Sequence, residues 1–193
     1  MFDLEKYFDK ELTKNELAEG IELYKKSIAD FPFPKLNSDT TFEKIKEIKR
    51  DKFQIGPYSG LSIFEISNRL FSDLIILDGA MQLFDDPFIM NAKKVETVKL
   101  ILSNKAGFDL VIKTDKGIVH GEGFNVAPSF FKQKLRATIK KFKKADNVEN
   151  AIIIFNEDAI EDEGVEMGFL SDQMVNCDKI LACVYCKLDE WKK

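Results

Sequence analysis

The chain has 193 residues, of which 45% are hydrophobic and 32% are charged. This composition excludes a disordered tail and leaves room for one ordinary domain with a sizeable core. The formal net charge of -4 argues against a protein that coats nucleic acid through many phosphate contacts, although an enzyme with one basic face remains compatible with it.

The amino terminus, MFDLEKYFDKELTKNEL, is charged throughout and lacks the apolar run of a signal peptide. No stretch approaches the roughly 20 apolar residues that a bilayer span requires. The three cysteines, Cys177, Cys183 and Cys186, cannot form a fully paired set, which favours free thiols. We therefore expect a cytoplasmic protein without a membrane span or a disulfide framework.

The first third of the chain is predicted to be helical. Residues 1–30 carry apolar side chains near the spacing of one helix face, and the Phe-Pro-Phe-Pro sequence at 31–34 ends that region. A short charged helix is predicted near 42–51, and the turn-rich sequence over 55–60 marks a break. The very apolar stretch at 61–84 predicts a long helix that is buried on more than one side.

The remainder changes to a β-rich pattern that alternates with two helices. Strands are predicted at 95–103, 108–113, 118–126, 151–155 and 180–185, and helices at 128–144 and 165–175. The order is helices followed by β-β-β-α-β-α-β. We predict a single α/β (α+β) domain over 1–193, with a helical N-terminal extension at 1–58 and a mixed-sheet core at 59–193.

The hairpin predicted around Thr114-Asp115-Lys116-Gly117 carries two carboxylates in an apolar setting, Asp109 and Glu122. If Thr114 pairs with Gly117, Asp109 lies directly opposite Glu122 on the same face of the sheet. A bulge at Gly117 would instead place them on opposite faces. Two facing carboxylates repel each other unless a divalent cation such as Mg²⁺ or Mn²⁺ lies between them. Such a cation would activate water and neutralise phosphodiester charge.

The order of a helix, a strand, a hairpin with Asp and then Glu, a basic helix and another strand resembles the restriction-endonuclease-like PD-(D/E)XK core over residues 60–160. In that family the aspartate lies on the second core strand and the (D/E)XK motif on the third, which match Asp109 and Glu122. The resemblance implies that these two residues are catalytic metal ligands, that DNA is the substrate and that the protein is a homodimer. It also implies that Glu65 or Glu96 supplies a further acidic ligand.

The sequence departs from the family pattern at two positions. Phe108 stands where a proline would precede Asp109, and Phe124 stands where the family has the lysine that orients or activates the attacking water. Some family members carry this lysine on the following helix. The resemblance therefore implies that Lys132 or Lys134 takes the catalytic role here.

A run of basic residues follows the hairpin: Lys132, Lys134, Arg136, Lys140, Lys141, Lys143 and Lys144. An apolar stripe of Phe131, Leu135, Ile139 and Phe142 is predicted to face the core, so the charges flank it on both sides. We predict that the first five basic residues contact nucleic acid. The alternative is a solvated amphipathic helix whose lysines aid solubility.

Two further signals are weaker. His120 has the same strand parity as Glu122 and could touch a metal or act as a general base, but a lone strand histidine is more often a hydrogen-bonded structural residue. Cys183 and Cys186 have CxxC spacing, but residues three apart on a strand point to opposite faces, which defeats chelation.

Three functions stay open on the sequence. The first is a metal-dependent DNA endonuclease of the restriction or defence type, similar to a type II restriction deoxyribonuclease. The second is a non-catalytic relative that binds nucleic acid or a partner protein. The third is an interaction or immunity-type protein whose acidic segment at 157–166 binds a basic partner. Metal binding separates the first from the others, and DNA binding without cleavage selects the second.

Overall fold

The N-terminal region contains two helices that a short sheet contact separates. The computed structural model describes residues 3–29, 34–55, 58–86, 89–91, 93–102, 107–160 and 163–187. Helices α1 (Leu4–Phe8) and α2 (Lys14–Ala29) lie in the region predicted to be helical. Between them the backbone N–H and C=O of Leu12 each bond to Val98 at 2.8 Å, and this bridge interrupts the helix. The predicted break at 31–34 falls almost entirely outside the described residues.

A third helix and a small hairpin follow. Helix α3 (Thr41–Arg50) begins after Thr40, whose side chain accepts a hydrogen bond from the Glu43 N–H, as expected of an N-cap. Strands β1 (Phe53–Ile55) and β2 (Tyr58–Leu61) then pair antiparallel. The sequence had predicted only a turn-rich break here, because two such short strands carry little alternation.

The long helix predicted at 61–84 is confirmed as α4 (Ile63–Asp85). Ser62 and Glu65 form a capping box at its start, in which each side chain bonds to the other residue's backbone N–H. The helix lies directly against the sheet at Gly79 and Gly123: a Cβ built on Gly79 would lie 2.4 Å from Ile154, and one on Gly123 would lie 2.4 Å from Ile76.

The main sheet has the order β3-β4-β5-β6-β7. Its strands are β3 (Val95–Leu100), β4 (Leu110–Thr114), β5 (Gly117–Phe124), β6 (Ala151–Asn156) and β7 (Ile180–Cys186). The first three pair antiparallel, whereas β5 with β6 and β6 with β7 pair parallel. Helix α5 (Pro128–Lys144) connects β5 to β6, and α6 (Glu163–Val175) connects β6 to β7. The mixed α/β class predicted from the sequence is confirmed, as is the order of strands and helices from β3 to β7, whereas the β1–β2 hairpin was not predicted.

Apolar side chains cover both faces of this sheet. Strand β6 is buried along its whole length: Ile152 and Ile154 join the cluster that contains the N-terminal helices and α4, while Ile153 and Phe155 join the cluster beneath α5. Burial on both faces explains why β6 reads as a continuous apolar run. The predicted apolar stripe of α5 is confirmed, since all four of its members are buried.

The two C-terminal cysteines lie on opposite faces of β7, as predicted. Cys186 belongs to the cluster on the α4 face, and Cys183 packs against the cluster on the α5 face. They therefore cannot chelate one ion. Over the described residues, none of the helices combines the length and apolarity needed to cross a bilayer.

Candidate active site

A cleft of about 320 Å³ opens where α4, the start of β4, the end of β5 and α5 meet. The polar and charged side chains that line it include Asn68, Arg69, Asp73, Asp109, Glu122 and Lys134. Three carboxylates and two cationic groups are thus gathered from four separate parts of the chain. The sheet supplies the base of the cleft, and the two helices supply its walls.

The two predicted carboxylates are brought together as the hairpin register requires. Thr114 pairs with Gly117 and Leu110 pairs with Gly121, so Asp109, just before β4, faces Glu122 on β5. Oδ2 of Asp109 accepts a hydrogen bond from the Gly123 N–H at 2.9 Å. The alternative with a bulge, which would have separated the two side chains, is wrong.

Both carboxylates are harder to ionise than in water. Burial raises the pKa of Asp109, while the Gly123 N–H and two lysines oppose that shift. Burial also raises the pKa of Glu122, and the neighbouring Asp109 charge raises it further. The pair therefore holds repelling negative charge in a partly desolvated place, and such an arrangement is favourable only when a cation is near.

Lys141 on α5 is the nearest such cation. Its Nζ contacts Oε1 of Glu122, and it also donates to the Gly107 carbonyl. The same ammonium lies 4.9 Å from the centroid of the Phe108 ring. The contact with Lys141 orients Glu122 and lowers its pKa against the effect of burial.

Only one of the two lysines expected to be catalytic lines the cleft. Lys134 lines the cleft, and its Nζ lies 5.8 Å from the centroid of the Phe124 ring. Lys132 does not line it, because its Nζ lies 5.8 Å from the ring of Phe169 on α6. Lys132 and Lys134 lie on different sides of α5 because residues two apart in a helix point in different directions. Lys134 and Lys141, seven apart, share a side.

The remaining predicted nucleic-acid contacts divide in the same way. The Arg136 guanidinium lies 4.9 Å from the Phe169 ring, on the side of α5 that faces α6, and the Lys140 side chain is exposed. Lys141, which we had expected to contact only nucleic acid, instead reaches Glu122. Its seven-residue spacing from Lys134 was the available sequence signal for a shared side.

The third carboxylate is Asp73 of α4, which the sequence reasoning missed. It is only 6% exposed and lines the cleft. Burial raises its pKa from 3.8 to about 7, although a hydrogen bond from Tyr58 and the charge of Arg69 oppose the shift. An acid inside the apolar stretch of α4 was the signal that could have found it.

The upstream acids that we expected in this role lie elsewhere. Glu65 accepts hydrogen bonds from Ser62 in the capping box and from Lys52, at 2.7–2.8 Å. Glu96 is exposed on β3. Neither is among the residues that line the cleft.

His120 is not among the cleft-lining residues either. Its ring centroid lies 5.0 Å from that of Phe108, and burial lowers its pKa. The buried Nδ1 has no hydrogen-bond partner among the described residues, so the hydrogen-bonded structural role that we favoured is not seen at this atom. The arrangement assigns His120 no place in the chemistry of the cleft.

The chemistry of the cleft fits a hard divalent cation. Asp109 and Glu122 offer only oxygen atoms, which Mg²⁺ and Mn²⁺ prefer, and their repulsion would be relieved by a cation between them. Asp73 lines the same cleft. Among the residues that the structure describes, no three acidic, histidine or cysteine side chains already form a metal-holding group. A cation would therefore have to draw the carboxylates closer and compete with Lys141 for Glu122.

In comparisons with known proteins, no family model, curated protein or solved structure matches this chain. The cleft must therefore be interpreted from its own residues.

Proposed function

We propose that the cleft is the active site of a divalent-metal-dependent nuclease of the PD-(D/E)XK type, which hydrolyses phosphodiester bonds in DNA. The observation that carries the proposal is the pairing of Asp109 with Glu122 across a hairpin, beside Lys134. The order α4, β3, β4, β5, α5, β6, with β5 and β6 parallel, supports it, because this is the order that the family resemblance predicts.

Each residue has a defined task in this proposal. Asp109 and Glu122 hold Mg²⁺ or Mn²⁺, which, when bound, neutralises phosphate charge and lowers the pKa of water. Asp73 adds a third carboxylate from the opposite wall. Arg69, beside Asp73, offers a guanidinium that can pair with a phosphate oxygen.

The missing motif lysine has a physical explanation. Phe124 is 3% exposed and packs with Phe131 and Phe155, so a lysine at this position would place an ammonium in an apolar cluster. Lys134 instead reaches over the Phe124 ring from α5. Its ammonium can therefore orient water near the place where the motif lysine would act.

Cleavage of plasmid and genomic DNA with Mg²⁺ or Mn²⁺ tests the proposal. Asp109→Asn and Glu122→Gln are expected to lower the rate by about 100-fold or more, because each removes a charged ligand of the metal that neutralises the phosphate. Lys134→Met is expected to be similarly slow. Lys132→Met, which changes the same residue type on the other side of α5, is the matched control and should cut normally. Metal-dependent cleavage that survives in Asp109→Asn would contradict the proposal.

A non-catalytic protein that binds nucleic acid or a partner is the second candidate. The contact between Lys141 and Glu122 favours it, because this lysine already neutralises one carboxylate without a metal. This function predicts DNA binding that does not need a divalent cation and no cleavage under any of these conditions.

A further inference from the structure

Two tyrosines and Asp73 form a buried hydrogen-bond chain that ends at the cleft. The hydroxyls of Tyr24 on α2 and Tyr58 on β2 are 2.5 Å apart, and the Tyr58 hydroxyl donates to Oδ2 of Asp73 at 2.6 Å. Tyr24 is 0% exposed and Tyr58 is 6% exposed. Water therefore has little access to compete for these bonds, which are stronger in such a place than at the surface.

The direction of the chain follows from counting protons. Each tyrosine hydroxyl donates one hydrogen. When Asp73 is ionised it can only accept, so Tyr58 donates to Asp73 and Tyr24 donates to Tyr58. The reverse direction would leave the Tyr24 proton without an acceptor among the described residues. The chain thus fixes Oδ2 of Asp73 as the acceptor at its end.

The charges around Asp73 show why it needs such support. Arg69 is the neighbouring positive charge, while Asp109 opposes ionisation, and the buried surroundings oppose it most. Lys134 and Glu122 line the same cleft from α5 and β5. Among the described residues, Tyr58 alone donates a hydrogen bond to the Asp73 carboxylate. Without it the carboxylate would be free to rotate about its side-chain bonds.

We propose that Tyr58, supported by Tyr24, is a positioning residue that orients Asp73 as the third oxygen ligand for a divalent cation in the cleft. This inference rests on the proposed function, because it assumes a cation between Asp109 and Glu122. It also assigns a task to the N-terminal region: α2 and the β1–β2 hairpin supply the support for a side chain on α4. Hydrogen bonds from neighbouring groups to metal ligands commonly orient those ligands and raise the affinity for the metal.

The test is the affinity of the full chain for Mn²⁺, measured by titration calorimetry on wild type and on Tyr58→Phe and Tyr24→Phe. Each variant removes one hydroxyl and keeps the ring. Tyr58→Phe is expected to weaken Mn²⁺ binding by about 10- to 100-fold, and Tyr24→Phe by less, since it acts one bond further away. The control is Tyr7→Phe, which loses a hydroxyl that donates to the Glu16 carbonyl at 2.9 Å. It should bind Mn²⁺ like wild type.

A double variant distinguishes positioning from a general loss of stability. If Tyr58 acts through Asp73, adding Tyr58→Phe to Asp73→Asn should weaken Mn²⁺ binding no further, whereas independent effects would add. Thermal unfolding of each protein shows that the measured sample is folded. Should Tyr58→Phe fail to fold, Tyr24→Phe and its combination with Asp73→Asn provide the same comparison.

The outcomes separate this inference from the proposed nuclease. Equal Mn²⁺ affinity in Tyr58→Phe, Tyr24→Phe and Tyr7→Phe would overturn the positioning role and leave the nuclease standing. Tight Mn²⁺ binding that depends on Tyr58 but brings no DNA cleavage would support positioning and overturn the nuclease. Absence of Mn²⁺ binding in wild type would overturn both.

Discussion

At the scale of single residues, the three buried acids of the cleft differ in the group that contacts each carboxylate. Glu122 has the side chain of Lys141, Asp109 has the Gly123 N–H, and Asp73 has the Tyr58 hydroxyl. These are three different partners for three acids within one cleft. Removing a charged partner leaves an uncompensated buried charge, whereas removing a neutral donor leaves an unfilled hydrogen bond. Substitutions of the three partners are therefore expected to differ in their effects.

Removing the charge partner of Glu122 should destabilise the fold. Lys141→Met leaves Glu122 and Asp109 facing each other without the nearest cation, and we expect a loss of about 1–2 kcal/mol in the free energy of unfolding. The low end of that range reflects a lysine that is 41% exposed. Urea unfolding in a chelating buffer measures it, with the exposed neighbour changed in Lys140→Met as the control. Equal stability of the two variants would show that the contact contributes nothing.

Asp73 should make stability depend on pH. Because burial raises its folded-state pKa from 3.8 to about 7, the folded protein keeps a proton that the unfolded chain has already released. Wild type should therefore lose stability relative to Asp73→Asn as the pH rises from about 4 to 7, by up to about 4 kcal/mol, and no further above that. Unfolding of both proteins across this range, in chelating buffer, provides the measurement. A constant difference would mean that Asp73 titrates normally.

At the scale of secondary-structure elements, the close approach of α4 to the sheet decides where the cleft wall stands. Gly123, next to Glu122, has Ile76 of α4 above it, and Gly79 on α4 has Ile154 of β6 below it. A side chain at either glycine would separate the helix from the sheet. Asp73 lies one turn before Ile76, so the same contact that packs the helix brings Asp73 beside the strand carboxylates.

Gly123→Ala tests this packing. The added Cβ would lie 2.4 Å from Cγ1 of Ile76, so we expect overpacking to cost about 1–3 kcal/mol in the free energy of unfolding. In a chain that also carries Ile76→Ala, which lacks this Cγ1, the alanine at Gly123 should cost less. Gly168→Ala on α6 is the control: its Cβ would meet no atom within 4 Å, and a helical alanine should be neutral or mildly stabilising. Similar effects of the two alanines would contradict the close packing.

Helix α5 shows how one amphipathic element serves two surfaces. Its apolar stripe packs on the sheet, its cleft side carries Lys134 and Lys141, and its other side directs Lys132 and Arg136 toward Phe169. The basic run is therefore two sets of charges with different neighbours. Lys134 lines the cleft, whereas Lys132 and Arg136 do not.

At the scale of the whole molecule, the N-terminal helices are part of the main core. Phe8, Leu17 and Tyr24 are fully buried in the cluster that also contains residues of α4 and the sheet. Leu12 pairs with the edge strand at Val98. The region that the sequence suggested as an extension thus covers apolar surface that would otherwise face water.

Deleting residues 1–58 should abolish cooperative folding. The truncated chain would expose the α4 surface that α2 covers and would lose both tyrosines of the buried chain, and the hydrophobic loss exceeds the usual margin of stability. Circular dichroism during thermal unfolding measures the outcome, beside full-length protein. A sharp transition in the truncated protein would show that residues 59–193 fold independently.

The sequence by itself determined the features that depend on near neighbours. The apolar stretch at 61–84 predicts α4, the apolar stripe predicts the buried side of α5, and the turn residues at 114–117 predict the β4–β5 hairpin. Each follows from side-chain periodicity or backbone preference within a few residues. They were accordingly predictable without knowing what the elements pack against.

Only the tertiary structure decided which side chains meet in the cleft. Asp73 joins the site because α4 packs closely on Gly123, and its partner Tyr58 is 15 residues away in the chain. Lys141, rather than Lys132, reaches a catalytic candidate because the rotation of α5 is set by its buried stripe against the sheet. Local sequence patterns indicate whether a segment forms a helix or a strand. They do not indicate how that element is rotated or how far it lies from the other elements. Those quantities are fixed by packing between residues that are distant in sequence.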